Sequence, residues 1–134
     1  MRAVIMGCGR VGSQVAIRLC EEGHEVAVID HDPTQFTRFL PASFTGQQLA
    51  GSGSDHRVLL EAGIERADAF MALTHGDNRN VLASQIAKYI YGVDRIVTRL
   101  ADPFRAELFQ RLGLTTVSPT NIGAELAYDA LTRE

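Results

Sequence analysis

Residues 7–12 read Gly-Cys-Gly-Arg-Val-Gly, which fits the G-x-G-x-x-G pattern of a dinucleotide-binding loop. In such a loop Gly7 permits a tight turn, Gly9 lets the backbone approach a pyrophosphate, and Gly12 lets the next helix pack closely on a strand. The amides at that helix N-terminus favour negative charge, so they suit phosphate groups. Arg10 can add a direct ionic contact with the same phosphates.

Asp30 is the acidic residue expected to accompany this loop, 18 residues after Gly12. A carboxylate at that spacing suits the hydroxyl groups of an adenosine ribose. It would also repel a 2′-phosphate, which disfavours NADP. Asp32 follows closely, but Pro33 comes next, so helix capping explains Asp32 better than ribose binding does.

The elements that would position these residues alternate along the chain. Six short apolar or β-branched runs lie at Arg2–Met6, Glu25–Asp30, 44–49, 69–73, Arg95–Arg99 and 115–118. Helical patterns separate them, and such alternation indicates βαβ units with right-handed crossovers. We therefore predict an α/β fold, a single domain built on a Rossmann-type, doubly wound, six-stranded parallel sheet.

Apolar residues four apart predict the buried faces of three helices. These residues are Val11, Val15 and Leu19 in the first helix, Leu82, Ile86 and Ile90 in the fourth, and Ile122 and Leu126 in the last. Helix starts are predicted where a capping residue precedes proline, at Asp32, Asp102 and Ser118. Helix ends are predicted at Gly23, Gly63, Gly92 and Gly113.

Composition excludes several classes of protein. The chain has 134 residues, 46% hydrophobic and 22% charged, with a net charge of −3, as expected of one globular domain. Lys and Arg form no basic stripe, so we expect no nucleic-acid partner. No apolar run approaches the roughly 20 residues that span a bilayer. Cys8 and Cys20 have neither metal-site nor disulfide spacing, which fits buried free thiols in a reducing cytosol.

No arrangement of residues suggests catalysis. The predicted strands and helices use the whole length, leaving no second domain to bind a hydride-transfer substrate. Tyr89 and Tyr91 lack a Lys four residues further on, and no histidine has the spacing of a metal site or a triad. His31 and His75 do follow predicted strand ends, where open α/β sheets bind ligands. We therefore predict a nucleotide-binding protein that is not an enzyme.

Four stretches of the chain resemble a known family. They read MGCGRVGSQVAIRLCEEGHEVAVID, GSGSDHRVLLEAGIERADAFMALTHGDNRN, RIVTRLADP and LGLTTVSP. They are similar to the RCK N-terminal (KTN) domain, the nucleotide-binding domain of the Trk/Ktr potassium-uptake regulators, including the TrkA-like proteins. The resemblance covers essentially residues 1–134, so we expect the second, C-terminal ligand domain of these regulators to be absent from this chain.

This resemblance implies a regulatory subunit. Such domains bind NAD or NADH, or alternatively ATP, ADP or AMP, in the glycine-loop cleft. They form homodimers or higher rings beneath a membrane potassium transporter, so a cytoplasmic protein held at the membrane through its partner is expected. Exchange of the nucleotide changes transport if the two conformations bind it with different affinity.

The resemblance also implies roles for individual residues. Gly7, Cys8, Gly9, Arg10 and Val11 would face the phosphates, and Asp30 the ribose, with His31 beside the nucleotide. The remaining positions are Ser52 and Gly53 at the adenine, Thr74 and His75 at the nicotinamide or terminal phosphates, and Arg99 at the phosphates or a dimer neighbour. For Arg99 a surface ion pair is almost equally compatible. Asn78 and Asn80 are interpreted as caps of the following helix.

The chain departs from the family pattern at two positions. Ser52 stands where many members have Asp, and Thr120 follows Pro119 where some ATP-binding members have an acidic ligand for a divalent ion. We therefore predict no metal site. Two alternative functions remain open at this point: a small NAD-dependent oxidoreductase, and a nucleotide-binding interaction module with a partner unrelated to transport.

Overall fold

A computed structural model describes all residues, 1–134. The strands are β1 (Arg2–Met6), β2 (Glu25–Asp30), β3 (Gln47–Ala50), β4 (Ala69–Ala72), β5 (Arg95–Arg99) and β6 (Thr115–Val117). The α-helices are α1 (Arg10–Glu21), α2 (Thr34–Phe39), α3 (His56–Glu61), α4 (Asp77–Gln85), α5 (Pro103–Arg111) and α6 (Pro119–Thr132). A 3₁₀ turn follows α3 at Ile64–Arg66, and a π-helical turn continues α4 at Ile86–Ile90.

The six strands form one parallel sheet in the order β3-β2-β1-β4-β5-β6. Ala3 of β1 is paired with Val26 on one side and with Ala69 on the other. The strand order therefore reverses between β1 and β4, which opens a crevice at their carboxyl ends. The predicted α/β class, single domain and six-stranded Rossmann-type sheet are confirmed.

Helices cover both faces of the sheet, as a doubly wound fold requires. Successive residues of β1 point to opposite faces, so Val4 and Met6 lie in one core while Ile5 lies in the other. The first core includes Leu59 of α3, and the second includes Phe36 of α2. Because both faces are covered, the central strands read as continuous apolar runs.

The predicted starts of α5 and α6 agree with the structure, whereas α2 begins one residue later than predicted, at Thr34. Asp102 Oδ1 accepts the Phe104 N–H at 3.0 Å, and Asp32 Oδ1 accepts the Thr34 N–H at 3.0 Å. The Ser118 hydroxyl oxygen accepts the N–H of residue 121 at 3.3 Å, at the start of α6. The four glycines predicted to end helices all have positive φ: Gly23, Gly63, Gly92 and Gly113.

The predicted buried face of α1 is only partly correct. Val15 and Leu19 pack partly against the core, but Val11 is 41% exposed. The buried residues of the helix include Gly12 and Ala16. Small residues face the strand because α1 passes too close to β1 for a larger side chain, which a search for apolar spacing does not detect.

The predicted buried faces of the fourth and sixth helices are wrong at most positions. Leu82 and Ile90 are 50% and 69% exposed, and Ile122 and Leu126 are 52% and 65% exposed. The π-helical turn at Ile86–Ile90 has more residues per turn than an α-helix, so a face extrapolated at α-helical spacing does not continue through it to Ile90. Helix α6 buries none of its residues in this chain.

Candidate nucleotide-binding site

The crevice at the carboxyl ends of the strands holds three adjoining pockets. The near pocket has a volume of about 270 Å³ and is lined by Met6, Ile29, Asp30, His31, residues 51–54, Thr74 and Arg79. The middle pocket, of about 230 Å³, is lined by Gly7, Gly9, Asp30, His31, Asp32, Gln35, Leu73, Thr74, His75 and Arg79. The distal pocket, of about 320 Å³, is lined by Gly9, Arg10, Val11, Gln35, Arg38, Phe39, Leu73, His75 and Arg99. Shared lining residues join the three into one cleft.

Gly7, Gly9 and Gly12 have different structural roles in the glycine loop. Gly7 has φ +108°, and a Cβ there would lie 2.9 Å from the Leu73 carbonyl carbon. A Cβ at Gly12 would lie 1.9 Å from the carbonyl oxygen of Gly7, so only glycine lets α1 start this close to the turn. A Cβ at Gly9 would have no neighbour within 4 Å, so the backbone at the start of α1 faces open space. That open approach is what a phosphate would need.

Asp30 holds the glycine loop in place. Its Oδ2 accepts the Cys8 N–H at 2.8 Å, and its Oδ1 accepts the Asp32 N–H at 2.9 Å. The Asp30 side chain is only 10% exposed. Each carboxylate oxygen can accept a further hydrogen bond, so Asp30 can organise the loop and still accept a ribose hydroxyl.

Cys8 is fully buried, and its N–H is already donated to Asp30. Burial raises the pKa of the Cys8 thiol to about 11, and the negative charge of Asp30 adds to the effect. The thiol is therefore protonated at neutral pH and unsuited to nucleophilic chemistry. Within the loop, Cys8 contributes packing and loop shape.

Asn80 joins the ends of two strands rather than capping a helix. It is fully buried, and its Oδ1 accepts the Thr74 N–H at 3.1 Å and the Thr74 hydroxyl at 2.6 Å. Its Nδ2 donates to the carbonyl oxygens of Thr74 and Arg99, both at 2.9 Å. All four bonds that an amide side chain can make are thus formed.

The predicted capping roles of Asn78 and Asn80 are therefore wrong. Asn78 Oδ1 accepts from Arg105 Nη2 at 2.6 Å, and Gly76 precedes α4 without a side-chain cap. Because the Thr74 hydroxyl donates its proton to Asn80, it has none to offer a ligand. The buried side chain of Asn80, in α4, thus holds the chain at the end of β4 in place.

Arg99 reaches back along the cleft from the end of β5. Its Nη1 donates to the Thr74 carbonyl oxygen at 2.8 Å and to His75 Nδ1 at 3.1 Å. A guanidinium has only donors, so His75 Nδ1 accepts and its ring proton lies on Nε2. Arg99 makes no ion pair, and its buried Nε has no partner.

The other predicted residues line the near and middle pockets. Ser52 and Gly53 lie in the near pocket, where the hydroxyl oxygens of Ser52 and Ser54 are 2.9 Å apart. A Cβ at Gly53 would lie 2.0 Å from the sulfur of Met6, so the loop rests directly on the strand end. His31 lines both pockets with its side chain 71% exposed.

The lining residues that were not predicted are Met6, Ile29, Gln35, Arg38, Phe39, Gly51, Ser54, Leu73 and Arg79. Met6 and Ile29 are the last apolar residues of their strands, and this position at the strand ends could have predicted that they line the cleft. Arg79 lies in the first turn of the helix after β4, a second usable signal. Arg38 lies near the end of α2, where nothing in the sequence indicates contact with the cleft.

Charge is unevenly distributed along the cleft. Asp30, Asp32 and Arg79 line the middle pocket, where hydrogen bonds from the Thr34 hydroxyl and amide lower the pKa of Asp32. The distal pocket has Arg10, Arg38 and Arg99 and no acidic residue. The arrangement can therefore accept hydroxyl groups in its centre and anionic groups at its distal end.

Two further features bear on the site. No group of three or more His, Cys, Asp or Glu side chains is placed to share a metal ion. None of the helices combines the length and the apolar character needed to cross a membrane.

The model of the TrkA-N domain family matches residues 3–119. The chain belongs to the TrkA-N domain family. This TrkA-N domain is 52% identical, over 118 residues, to the Trk system potassium uptake protein TrkA of Streptomyces coelicolor. The match covers 88% of this chain and 52% of that protein, so the chain spans about half the length of the relative.

Solved structures share the fold of this TrkA-N domain. The Shewanella denitrificans Kef CTD in its AMP-bound form has a TM-score of 0.82 and 24% identity, covering 98% of this chain and 80% of that one. GsuK bound to ADP has a TM-score of 0.81 and 23% identity, covering 98% of this chain and 34% of that one. At such identities the likeness concerns the fold alone.

Proposed function

We propose that this TrkA-N domain binds an adenine nucleotide in the cleft and that the bound nucleotide regulates a potassium-uptake transporter. The observation that carries the proposal is the hydrogen bond between Asp30 and the glycine loop, which places a ribose acceptor beside an open helix N-terminus. The family membership and the AMP- and ADP-bound structures of the same fold support it.

The nucleotide would lie along the cleft in a definite direction. The adenine occupies the near pocket, between the apolar ends of β1 and β2 and the turn at Ser52 and Gly53. The ribose hydroxyls donate to Asp30, and the phosphates approach Gly9 and the first amides of α1. Both NAD(H) and the adenosine phosphates ATP, ADP and AMP share this adenosine portion.

Assembly with a second copy fits the exposed surface of α6. This 14-residue helix buries none of its residues and exposes Ile122, Leu126, Tyr128 and Leu131. An isolated helix with such an apolar surface is stable only when another surface covers it. We propose a homodimer, or a larger ring, that contacts the transporter on its cytoplasmic side.

A regulatory role without catalysis fits the side chains that line the cleft. The Cys8 thiol is protonated and buried, and the Thr74 hydroxyl is bonded to Asn80. The hydroxyl groups that line the cleft are bonded to other hydroxyl or amide groups and not to a histidine or carboxylate, the pairing that nucleophilic catalysis uses. A sensor requires only that two conformations bind the nucleotide with different affinity.

Calorimetric titration of the purified chain with NAD, NADH, ATP, ADP and AMP tests the binding step. We expect at least one adenine nucleotide to bind and to raise the melting temperature by mass action. Potassium uptake by cells carrying an Asp30→Asn variant tests the regulatory step. Absence of binding by all five nucleotides would refute the proposal, and normal uptake with abolished binding would refute its regulatory part.

A further inference from the structure

The near pocket has backbone donors that no group of the protein satisfies. Gly53 is buried, and neither its N–H nor that of Ser52 donates to any atom of the chain. Buried N–H groups without an acceptor are rare in folded proteins, because each one costs free energy that a partner would recover. Both residues line the pocket, so an acceptor atom on a ligand would satisfy them.

Arg79 adds further donors to the same pocket. The residue is exposed in the first turns of α4, and its side chain forms no ion pair. Its guanidinium folds back over Gly76, where a Cβ would lie 2.6 Å from Arg79 Nε. Glycine at position 76 thus leaves room for the side chain, which lines both the near and the middle pocket. A guanidinium group has donors and no acceptor.

Most acceptors of the near pocket are already bonded within the protein. Five carbonyl oxygens each accept an N–H of the chain, those of Met6, Ile29, Asp30, Ser52 and Thr74. The Asp30 carboxylate accepts two N–H groups, and in the proposed function the ribose hydroxyls use its remaining capacity. The hydroxyls of Ser52 and Ser54 bond to each other and can either donate or accept. The pocket is therefore rich in free donors and poor in free acceptors.

Such a pocket distinguishes between purine bases. Adenine has a 6-amino group, a donor, beside its N7 acceptor, whereas guanine and hypoxanthine have a 6-oxo group, so that O6 and N7 both accept. The planar fork of an arginine matches O6 and N7, while the amide of a glutamine matches the amino group and N7 of adenine. Arg79 and the free amides of the turn at Ser52 and Gly53 therefore suit a 6-oxopurine better than adenine.

We propose that the near pocket accepts 6-oxopurine nucleotides, those of guanine and hypoxanthine, as well as adenine nucleotides and binds them more tightly, with Arg79 as the specificity-determining residue. This inference rests on the proposed function, since Asp30 and the glycine loop must hold the ribose and phosphate for the base to enter the near pocket. The apolar strand ends at Met6 and Ile29 contact either ring alike. The preference therefore comes from hydrogen bonds at the edge of the base.

The test titrates the full chain with AMP, IMP and GMP by calorimetry. AMP and IMP share the ribose and the phosphate and differ at the 6-position of the purine, with the matching change at N1. We expect IMP and GMP to bind about threefold or more tighter than AMP to the parent. In Arg79→Gln the ratio of IMP affinity to AMP affinity should fall by about fivefold or more, because glutamine pairs with the adenine edge.

Two further variants separate recognition of the base from the effect of charge. Arg79→Lys keeps the positive charge and loses the planar fork, so it should lose the preference for IMP and keep its affinity for AMP. Arg57→Gln removes the same charge from a side chain that is 91% exposed and lines none of the three pockets, so it should keep the parental ratio. Arg79 is exposed, so its variants should melt with the parent.

The outcomes distinguish this inference from the proposed function. IMP and GMP binding no tighter than AMP to the parent would overturn the 6-oxopurine assignment and leave nucleotide binding intact. Equal losses of AMP and IMP affinity in Arg79→Gln would overturn the role of Arg79 in reading the base. Failure of all three nucleotides to bind, with ATP, ADP, NAD and NADH also silent, would refute the inference and the proposed function together.

Discussion

Asp30 Oδ2 accepts the backbone N–H of Cys8 at 2.8 Å, so one carboxylate both ends β2 and shapes the glycine loop after β1. The two strands are neighbours in the sheet, with Met6 paired to Ile29. Parallel pairing therefore brings the loop to the carboxylate and fixes the acidic and amide groups of the cleft relative to one another.

Replacing Asp30 with Asn should weaken nucleotide binding by about tenfold or more, because a charge-assisted hydrogen bond contributes about 1.5–3 kcal/mol. The melting temperature should also fall. The amide nitrogen of Asn cannot accept a hydrogen bond, so the N–H of either Cys8 or Asp32 would lose its acceptor. Calorimetry and thermal melting measure the two effects. Asp32→Asn is the control, because Asn also caps helices; equal affinity losses in the two variants would contradict a special role for Asp30.

Gly12→Ala and Gly9→Ala should separate stability from binding. A Cβ at Gly12 meets the Gly7 carbonyl oxygen, so Gly12→Ala should lower the free energy of unfolding by about 1–3 kcal/mol. Gly9 has φ −90° and open space before it, so Gly9→Ala should change stability by less than about 0.5 kcal/mol. The new methyl group of Gly9→Ala should still obstruct phosphate and reduce affinity. If Gly9 were needed for the fold instead, Gly9→Ala would lower stability in urea unfolding and leave the affinity measured by calorimetry unchanged.

Asn80→Ala should destabilise the protein strongly. The substitution removes four hydrogen bonds and leaves the part-buried Thr74 N–H without its side-chain acceptor, at a cost of about 3 kcal/mol or more in the free energy of unfolding. Asn78→Ala is the control, since Asn78 is exposed and bonds only to Arg105. Denaturant unfolding measures both, and equal stability of the two variants would refute the bracing role of Asn80.

The Cys8 thiol should make stability fall at high pH. Its pKa is raised from 9.0 to about 11 in the folded protein, so the unfolded chain loses the proton first as pH rises. The contribution to the free energy of unfolding is therefore complete below pH 9.0 and is lost between 9.0 and about 11. Urea unfolding at several pH values should show a steeper decline in the parent than in Cys8→Ala, and parallel declines would contradict the assignment.

The order of strands and helices could be predicted because its signals are local. Short apolar runs, a capping side chain before proline and glycine at a helix end act over a few residues, and the structure reproduces them. The role of Gly12 was also predictable, since the spacing within residues 7–12 already implies a close approach of helix and strand. Local signals of this kind do not depend on which other part of the protein the helix or strand packs against.

The amino-acid sequence by itself determined the parallel α/β fold, the glycine loop and the carboxylate that faces it. Only the tertiary structure decided that Asn80 braces two strand ends, that Val11 and Leu82 are exposed, and that Arg38 reaches the distal pocket. These properties depend on contacts between residues far apart in the chain. Such contacts are set by how the helices pack on the sheet, and the spacing of residues along one helix or strand does not reveal them.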